Sequence, residues 1–203
     1  MALLVASEHQ TPTGVSDDVL IARLRNGQAE AGEELVARYC KPLLRYLQSL
    51  VRSDQLAEEL FQQTWLSVLD HINRFESGGG GFKAWVYRIA TNKANDHWRF
   101  RSREKTAREG LKLVSVDQAP DAGFALENTE QIQKLRSAIE RLPENQRQVL
   151  LLRYFSGMKF SDIAQTLGCP LNTALGRMHK AIGKLKSLME KPDPAEKRDL
   201  TQK

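Results

Sequence analysis

The stretch from Phe160 to Leu188, FSDIAQTLGCPLNTALGRMHKAIGKLKSL, reads as two short helices about a tight turn. In the first, Phe160, Ile163, Ala164 and Leu167 share one face at three-and-four spacing, with Ser161 or Asp162 able to cap it. Gly168 supplies the left-handed conformation that ends a helix, and Pro170 suits a restart, where its missing N–H is not needed. In the second helix Leu171, Leu175, Met178, Ile182, Leu185 and Leu188 can line an inward side. Asn172, Thr173, Arg177, Lys180 and Lys184 are then left facing outward. This is the pattern of a helix-turn-helix, whose second helix enters the major groove of DNA.

An ordinary helical hairpin with a solvated basic face would give a similar pattern. Charge separates the two readings. From Asn172 to Lys191 the cations Arg177, Lys180, Lys184, Lys186 and Lys191 meet only Glu190, and phosphates fit such a face.

Working outward, the chain has 203 residues, room for two small domains. A hydrophobic fraction of 41% with 27% charged residues excludes disorder throughout and a membrane protein. No apolar run approaches the roughly 20 residues of a membrane helix, and MALLVASEHQTPTG lacks the basic flank of a secretory signal, so a cytoplasmic location is expected. The two cysteines, Cys40 and Cys169, stand in no metal-ligand spacing and read as small core residues. A net charge of +5 suits a polyanionic partner.

The periodicity predicts an all-α fold of two helical domains joined by a flexible linker. Residues 1–15 read as a flexible leader, 16–103 as a first domain, 104–129 as a linker, 130–189 as the domain with the helix-turn-helix, and 190–203 as a disordered tail. Ser16 can cap a short helix through Leu24, and Pro42 should bend the amphipathic segment that follows. Asp54 is expected to cap a third helix, in which Leu56, Leu60, Phe61, Trp65, Val68, Leu69 and Ile72 repeat. FESGGGGF, residues 75–82, breaks the pattern as a mobile loop, and a fourth helix spans about Phe82 to Arg103. Beyond the linker one helix carries Ile132, Leu135, Ile139 and Leu142, and another runs from Val149 to about Gly157.

No catalytic constellation stands out. The four histidines, His9, His71, His97 and His179, are scattered, and GGGG lacks the Lys-Ser/Thr of a phosphate loop, so neither an enzyme nor a cofactor or metal is expected. Between Lys83 and Lys112 the cations outnumber the acids, with Trp85, Tyr87, Trp98 and Phe100 interleaved. Basic residues can track a backbone while aromatic faces stack on unpaired bases. Trp85 fits the apolar stripe and reads as core, and Tyr87 and Trp98 are left open. Glu58, Glu59, Gln62 and Gln63 form an acidic and amide face, ordinarily solvent-facing, that also suits a protein partner.

Four further segments carry a resemblance: A-E-E-L-F-Q-Q-T-W at Ala57–Trp65, F-K-A-W-V-Y-R-I-A-T-N at Phe82–Asn92, D-H-W-R at Asp96–Arg99 and L-P-E-N-Q-R-Q-V-L at Leu142–Leu150. With the helix-turn-helix they make the chain, over about residues 17–188, resemble an extracytoplasmic-function sigma factor of bacterial RNA polymerase. The resemblance implies a non-enzymatic initiation factor whose partners are core RNA polymerase and promoter DNA, with room for an anti-sigma factor and no membrane insertion.

It further implies a first domain, sigma region 2, docking on polymerase through Glu58, Glu59, Leu60, Gln62, Gln63 and Trp65. The −10 element would be held by the loop from Asn73 to Phe82 and by Tyr87, Arg88, Asn92, Lys93, His97 and Arg99. The second domain, sigma region 4, would read the −35 element through Asn172, Thr173, Arg177, His179, Lys180 and Lys184. The chain departs from the family in having N-T-A-L-G-R at Asn172–Arg177 where G-T-V-K-S-R is common, and Gln63 where an acid is usual. Two other readings are a regulator of the two-component output type, whose receiver would need alternating strands and helices that this chain lacks, and a nucleic-acid enzyme using Asp96 and His97.

Overall fold

The computed structural model describes residues 14–109 and 130–190, all of whose regular structure is helical. The helices are α1 (Asp17–Arg25), α2 (Ala29–Val51), α3 (Asp54–His71), α4 (Gly81–Glu109), α5 (Glu130–Glu140), α6 (Glu144–Ser156), α7 (Phe160–Thr166) and α8 (Leu171–Glu190), with a 3₁₀ turn at Ile72–Arg74. The expected leader before Gly14, the linker from 110 to 129 and the tail after Glu190 lie outside the described residues; 104–109 belong to α4.

In the first half α2 is the central element. Its inward stripe, Leu35, Leu43, Tyr46, Leu47 and Leu50, is fully buried against α1, α3 and α4. Tyr46 and Thr91 share a buried hydrogen bond at 2.8 Å, and the Tyr46 and Tyr87 rings lie 5.2 Å apart. Arg38 joins Asp17 and Glu34, and Tyr39 donates to Asp17, which ties α1 down. Arg25 donates to the carbonyl of Ile72 at 2.8 Å and to that of Phe75, so α1 also fixes the segment leading to the glycine run.

Several local expectations change. Pro42 interrupts nothing in the helical assignment, since α2 runs from Ala29 to Val51 with Pro42 inside it. Ser53, not Asp54, caps α3: its extended backbone turns the hydroxyl back to accept from the Leu56 N–H at 3.3 Å. Ser16 occupies the cap position of α1 without a side-chain bond, and α7 is preceded by Lys159, so neither Ser161 nor Asp162 caps it. Gly168 does take the left-handed conformation, at φ 59°. The inward line of α8 is rotated from the expected one: Ala174 and Ala181 are fully buried, while Leu171, Leu175 and Ile182 stay largely exposed. Small side chains at the crossing let α8 lie close to α6 and α7, and the larger ones flank that contact.

The two halves close on one another. α6 packs on α2, and α7 on α4, so the apolar core runs from Leu20 in α1 to Ile163 in α7. Arg147, buried on α6, donates from Nη2 to the carbonyl of Leu50 at 3.0 Å and to Glu144 Oε2 at 3.0 Å. Gln148 donates to Asn95 Oδ1 at 2.7 Å, and Arg52 donates to the carbonyl of Glu140. Burial pushes the Glu144 carboxyl up and the Arg147 guanidinium down from their ordinary pKa values, and each charge partly offsets the shift of the other.

Candidate docking and nucleic-acid surfaces

The α3 face is built by what lies beneath it. Ala57, Leu60, Thr64, Trp65 and Val68 are buried. This turns Glu58, Glu59 and Gln62 fully outward and leaves Gln63 half-buried, its Nε2 donating to Glu59 Oε1 at 2.9 Å. Leu60 and Trp65 are only 3% and 7% exposed, so they support this face from below and offer no contact surface. Leu66 and Leu69, by contrast, are 63% and 46% exposed and continue the carboxylate and amide row by one and two turns. The helical repeat places Leu69 inward, but the structure turns it out beside Leu66. Their spacing of four and seven from Gln62 was the available signal.

Across the end of α3, an open groove of about 420 Å³ is lined by Ser67, His71, Arg74, Trp85, Ile89, Asn92, Lys93 and Asp96. On α4 the lining residues fall at i, i+4, i+7, i+8 and i+11, one helical stripe. Trp85 packs one side on Phe75, with centroids 4.9 Å apart, and turns its remaining surface to the groove. Tyr87 goes the other way. Both it and Phe82 are buried, the Tyr87 hydroxyl has no hydrogen-bond partner, and burial holds its pKa well above the ordinary phenol value. Neither side chain can stack on a base in this arrangement, whereas Trp85, packed on the core as expected, keeps part of its surface open.

Of the other residues expected at this site, the groove gathers Asn92 and Lys93. Asn73, Arg88 and Arg99 are exposed outside its lining, and His97 is half-buried. Arg99 pairs with Asp96 at 3.3 Å in the open, and Phe100 stands 67% exposed one residue on. Arg74 belongs to the expected segment from Asn73 to Phe82, whereas Ser67 and His71 fall outside the expected set because they come from α3, which only the folded chain brings beside α4.

On α8, Thr173, Arg177, Lys180 and Lys184 form one stripe at intervals of four, three and four, away from buried Ala174 and Ala181. Asn172, Gly176, His179 and Gly183 form the neighbouring stripe. A side chain at either glycine would meet no atom within 4 Å, so this second stripe is open backbone between two polar side chains. The residues expected to meet duplex DNA are thus on one side of one helix, held there by the packing of α6 and α7.

The acidic α3 face, the aromatic-lined groove and the cationic α8 stripe, in that order along an all-helical chain, define a factor that joins a protein partner to DNA. Family models agree on both halves: Sigma-70 region 2 matches residues 35–104, and Sigma-70, region 4 matches residues 132–185. The RNA polymerase sigma-H factor of Pseudomonas aeruginosa is 28% identical over 179 residues, 83% of this chain and 91% of that protein. The ECF RNA polymerase sigma factor BldN of Streptomyces coelicolor is 30% identical over 196 residues, 92% and 72% of the two chains. Among solved structures, the sigma factor RpoE of Bartonella quintana, in complex with the anti-sigma factor NepR, is 26% identical with a TM-score of 0.63, covering 79% of this chain and 98% of that one. The chain belongs to the extracytoplasmic-function sigma factors of bacterial RNA polymerase, which direct promoter-specific transcription initiation. The matches span both halves and leave no support for the two-component regulator.

Proposed function

We infer that the three surfaces divide the work of initiation in this chain. Glu58, Glu59, Gln62 and Gln63, extended by Leu66 and Leu69, dock on core polymerase, with Leu60 and Trp65 holding the helix from beneath. The groove between α3 and α4 receives an unstacked base of the melted −10 element. Trp85 and His71 offer ring faces, Asn92 offers donor and acceptor, and Lys93 and Arg74 meet phosphate. The α8 stripe of Thr173, Arg177, Lys180 and Lys184 tracks the −35 duplex, with Asn172 and His179 toward the base edges. Residues 16–103 and 130–189 serve as the two functional domains.

The observation that carries this reading is the opposed charge of the outward faces. A carboxylate surface repels DNA, while the cationic side chains of the α4 and α8 faces attract its phosphates. No covalent step is assigned to the chain; it contributes binding, and the base capture offsets an unpairing cost of a few kcal/mol. It works where the polymerase is, in the cytoplasm, and no helix among the described residues is long and apolar enough to cross a membrane. An anti-sigma protein is a fitting regulator, since the Bartonella quintana relative is bound to one. The test is reconstitution: the purified chain should bind core polymerase lacking its own specificity subunit and open a mapped promoter. Failure of both would overturn the reading.

A further inference from the structure

Arg25 is the last residue of α1 and lies outside the α3 face, the groove lining and the α8 stripe. Its guanidinium is nonetheless engaged. Nε and Nη2 donate to the carbonyl of Ile72 at 3.0 and 2.8 Å, and Nη2 also donates to the carbonyl of Phe75. Ile72 follows the last turn of α3, where helical carbonyls lack partners within the helix, so a cation from α1 serves the negative end of another element. The two carbonyls belong to residues on either side of Asn73 and Arg74. One planar fork thus clamps the backbone before and after Arg74, a geometry that the point charge of a lysine does not reproduce.

Both things so held belong to the groove wall. Arg74 lines the groove beside His71. The buried Phe75 sets its ring 4.9 Å from that of Trp85 and 5.6 Å from that of Phe82, so the surface Trp85 turns to the groove depends on where the Phe75 backbone is fixed. The connection then runs through Gly78–Gly81, four consecutive glycines whose backbone freedom works against a fixed wall. A held point just before them limits that freedom. We propose that Arg25 is a positioning residue for the groove: it touches no DNA, and it holds Arg74 and Trp85 at the spacing in which one meets a phosphate and the other a base.

This rests on the reading of the groove as the site of an unstacked −10 base. Although Arg25 is exposed, its three hydrogen bonds to backbone turn its donors toward protein. A wall ordered in advance leaves less to be ordered by the DNA itself. Without Arg25 that ordering cost falls on the binding step, and the melted strand is released faster.

The test uses holoenzyme assembled from core polymerase and the full-length chain, titrated with a fork-junction fragment whose −10 segment is single-stranded. Arg25→Ala should weaken binding about tenfold, comparable with losing part of one base stack, chiefly through faster dissociation. Arg25→Lys keeps the charge and should lose nearly as much. The salt slope should stay at the wild-type value in both variants, since no phosphate contact is removed. In a background of Arg74→Ala and Trp85→Ala, the Arg25→Ala change should cost about twofold or less, because the groups it positions are gone. Affinity for core polymerase should remain at the wild-type value in Arg25→Ala.

Unchanged fork binding in Arg25→Ala would overturn the proposal. Full retention by Arg25→Lys, or a slope lowered by about one, would make Arg25 a phosphate contact instead. An undiminished loss in the Arg74→Ala, Trp85→Ala background, or a parallel loss of core affinity, would make it a general support of the fold. A wild-type holoenzyme that fails to bind the fork would overturn the functional reading itself, and that failure is read before any Arg25 variant is compared.

Discussion

Arg147 Nη2 lies 3.0 Å from the carbonyl oxygen of Leu50, a residue 97 positions earlier, at a buried point where the last turn of α2 meets α6. The guanidinium supplies a donor that the end of α2 lacks and brings its own counter-charge, Glu144, into the same site. Arg147→Ala should therefore cost about 1.5–3 kcal/mol, the worth of a buried hydrogen bond to a charged group. Denaturant unfolding should show that loss and a less cooperative transition as the halves uncouple. An unchanged midpoint would show that the carbonyl is satisfied by other means.

The groove and the buried rings make opposite predictions for two aromatic residues two positions apart. Trp85→Ala should weaken binding of the holoenzyme to melted −10 DNA by about 1–3 kcal/mol, read by a fork-junction binding assay. Tyr87→Phe should leave that binding unaltered and raise stability slightly, because its hydroxyl is buried without a partner. The reverse outcome would return Tyr87 to the DNA surface.

On α3, Glu59→Lys reverses charge on a fully outward face and should reduce affinity for core polymerase about tenfold or more with an unchanged circular dichroism spectrum. Gln62→Ala should reduce it less. Retained affinity in both would move the docking surface elsewhere.

Arg177→Ala on the cationic stripe of α8 should weaken duplex binding by a similar factor for all sequences and lower the salt slope by about one. A full slope would show that Arg177 touches no phosphate.

Tyr39, Tyr46 and Tyr87 all have phenol pKa values raised above the ordinary 10.0, chiefly by burial. A buried acid with a raised folded pKa binds its proton more tightly in the native chain. Its contribution to stability is complete below pH 10.0 and is lost as pH climbs beyond it. Phenolate absorbance from these three should thus stay absent just above that pH and arrive together with unfolding. Smooth titration ahead of unfolding would mean that the rings are accessible.

The helices and their order were legible because buried positions in α2, α3 and α6 repeat at helical spacing over several turns. The outward face of α3 followed from the same arithmetic. What escaped depends on which elements meet. Trp85 and Tyr87 are both aromatic positions on one amphipathic helix, and only the placement of α2 decides that Tyr87 is enclosed while Trp85 borders a groove. The large apolar residues of α8 suggest one inward line, whereas the close helix crossing selects the small Ala174 and Ala181. Nothing in the local pattern of the glycine run tells that a helix some 80 residues later rests on it.

Gly176 and Gly183 give the side of α8 proposed to face DNA an unusual freedom. New side chains there displace nothing and improve helix propensity by about 1 kcal/mol each over glycine. If α8 reads the −35 element as proposed, single substitutions at these two sites would add base contacts without any repacking of the domain, a short mutational path to altered promoter choice.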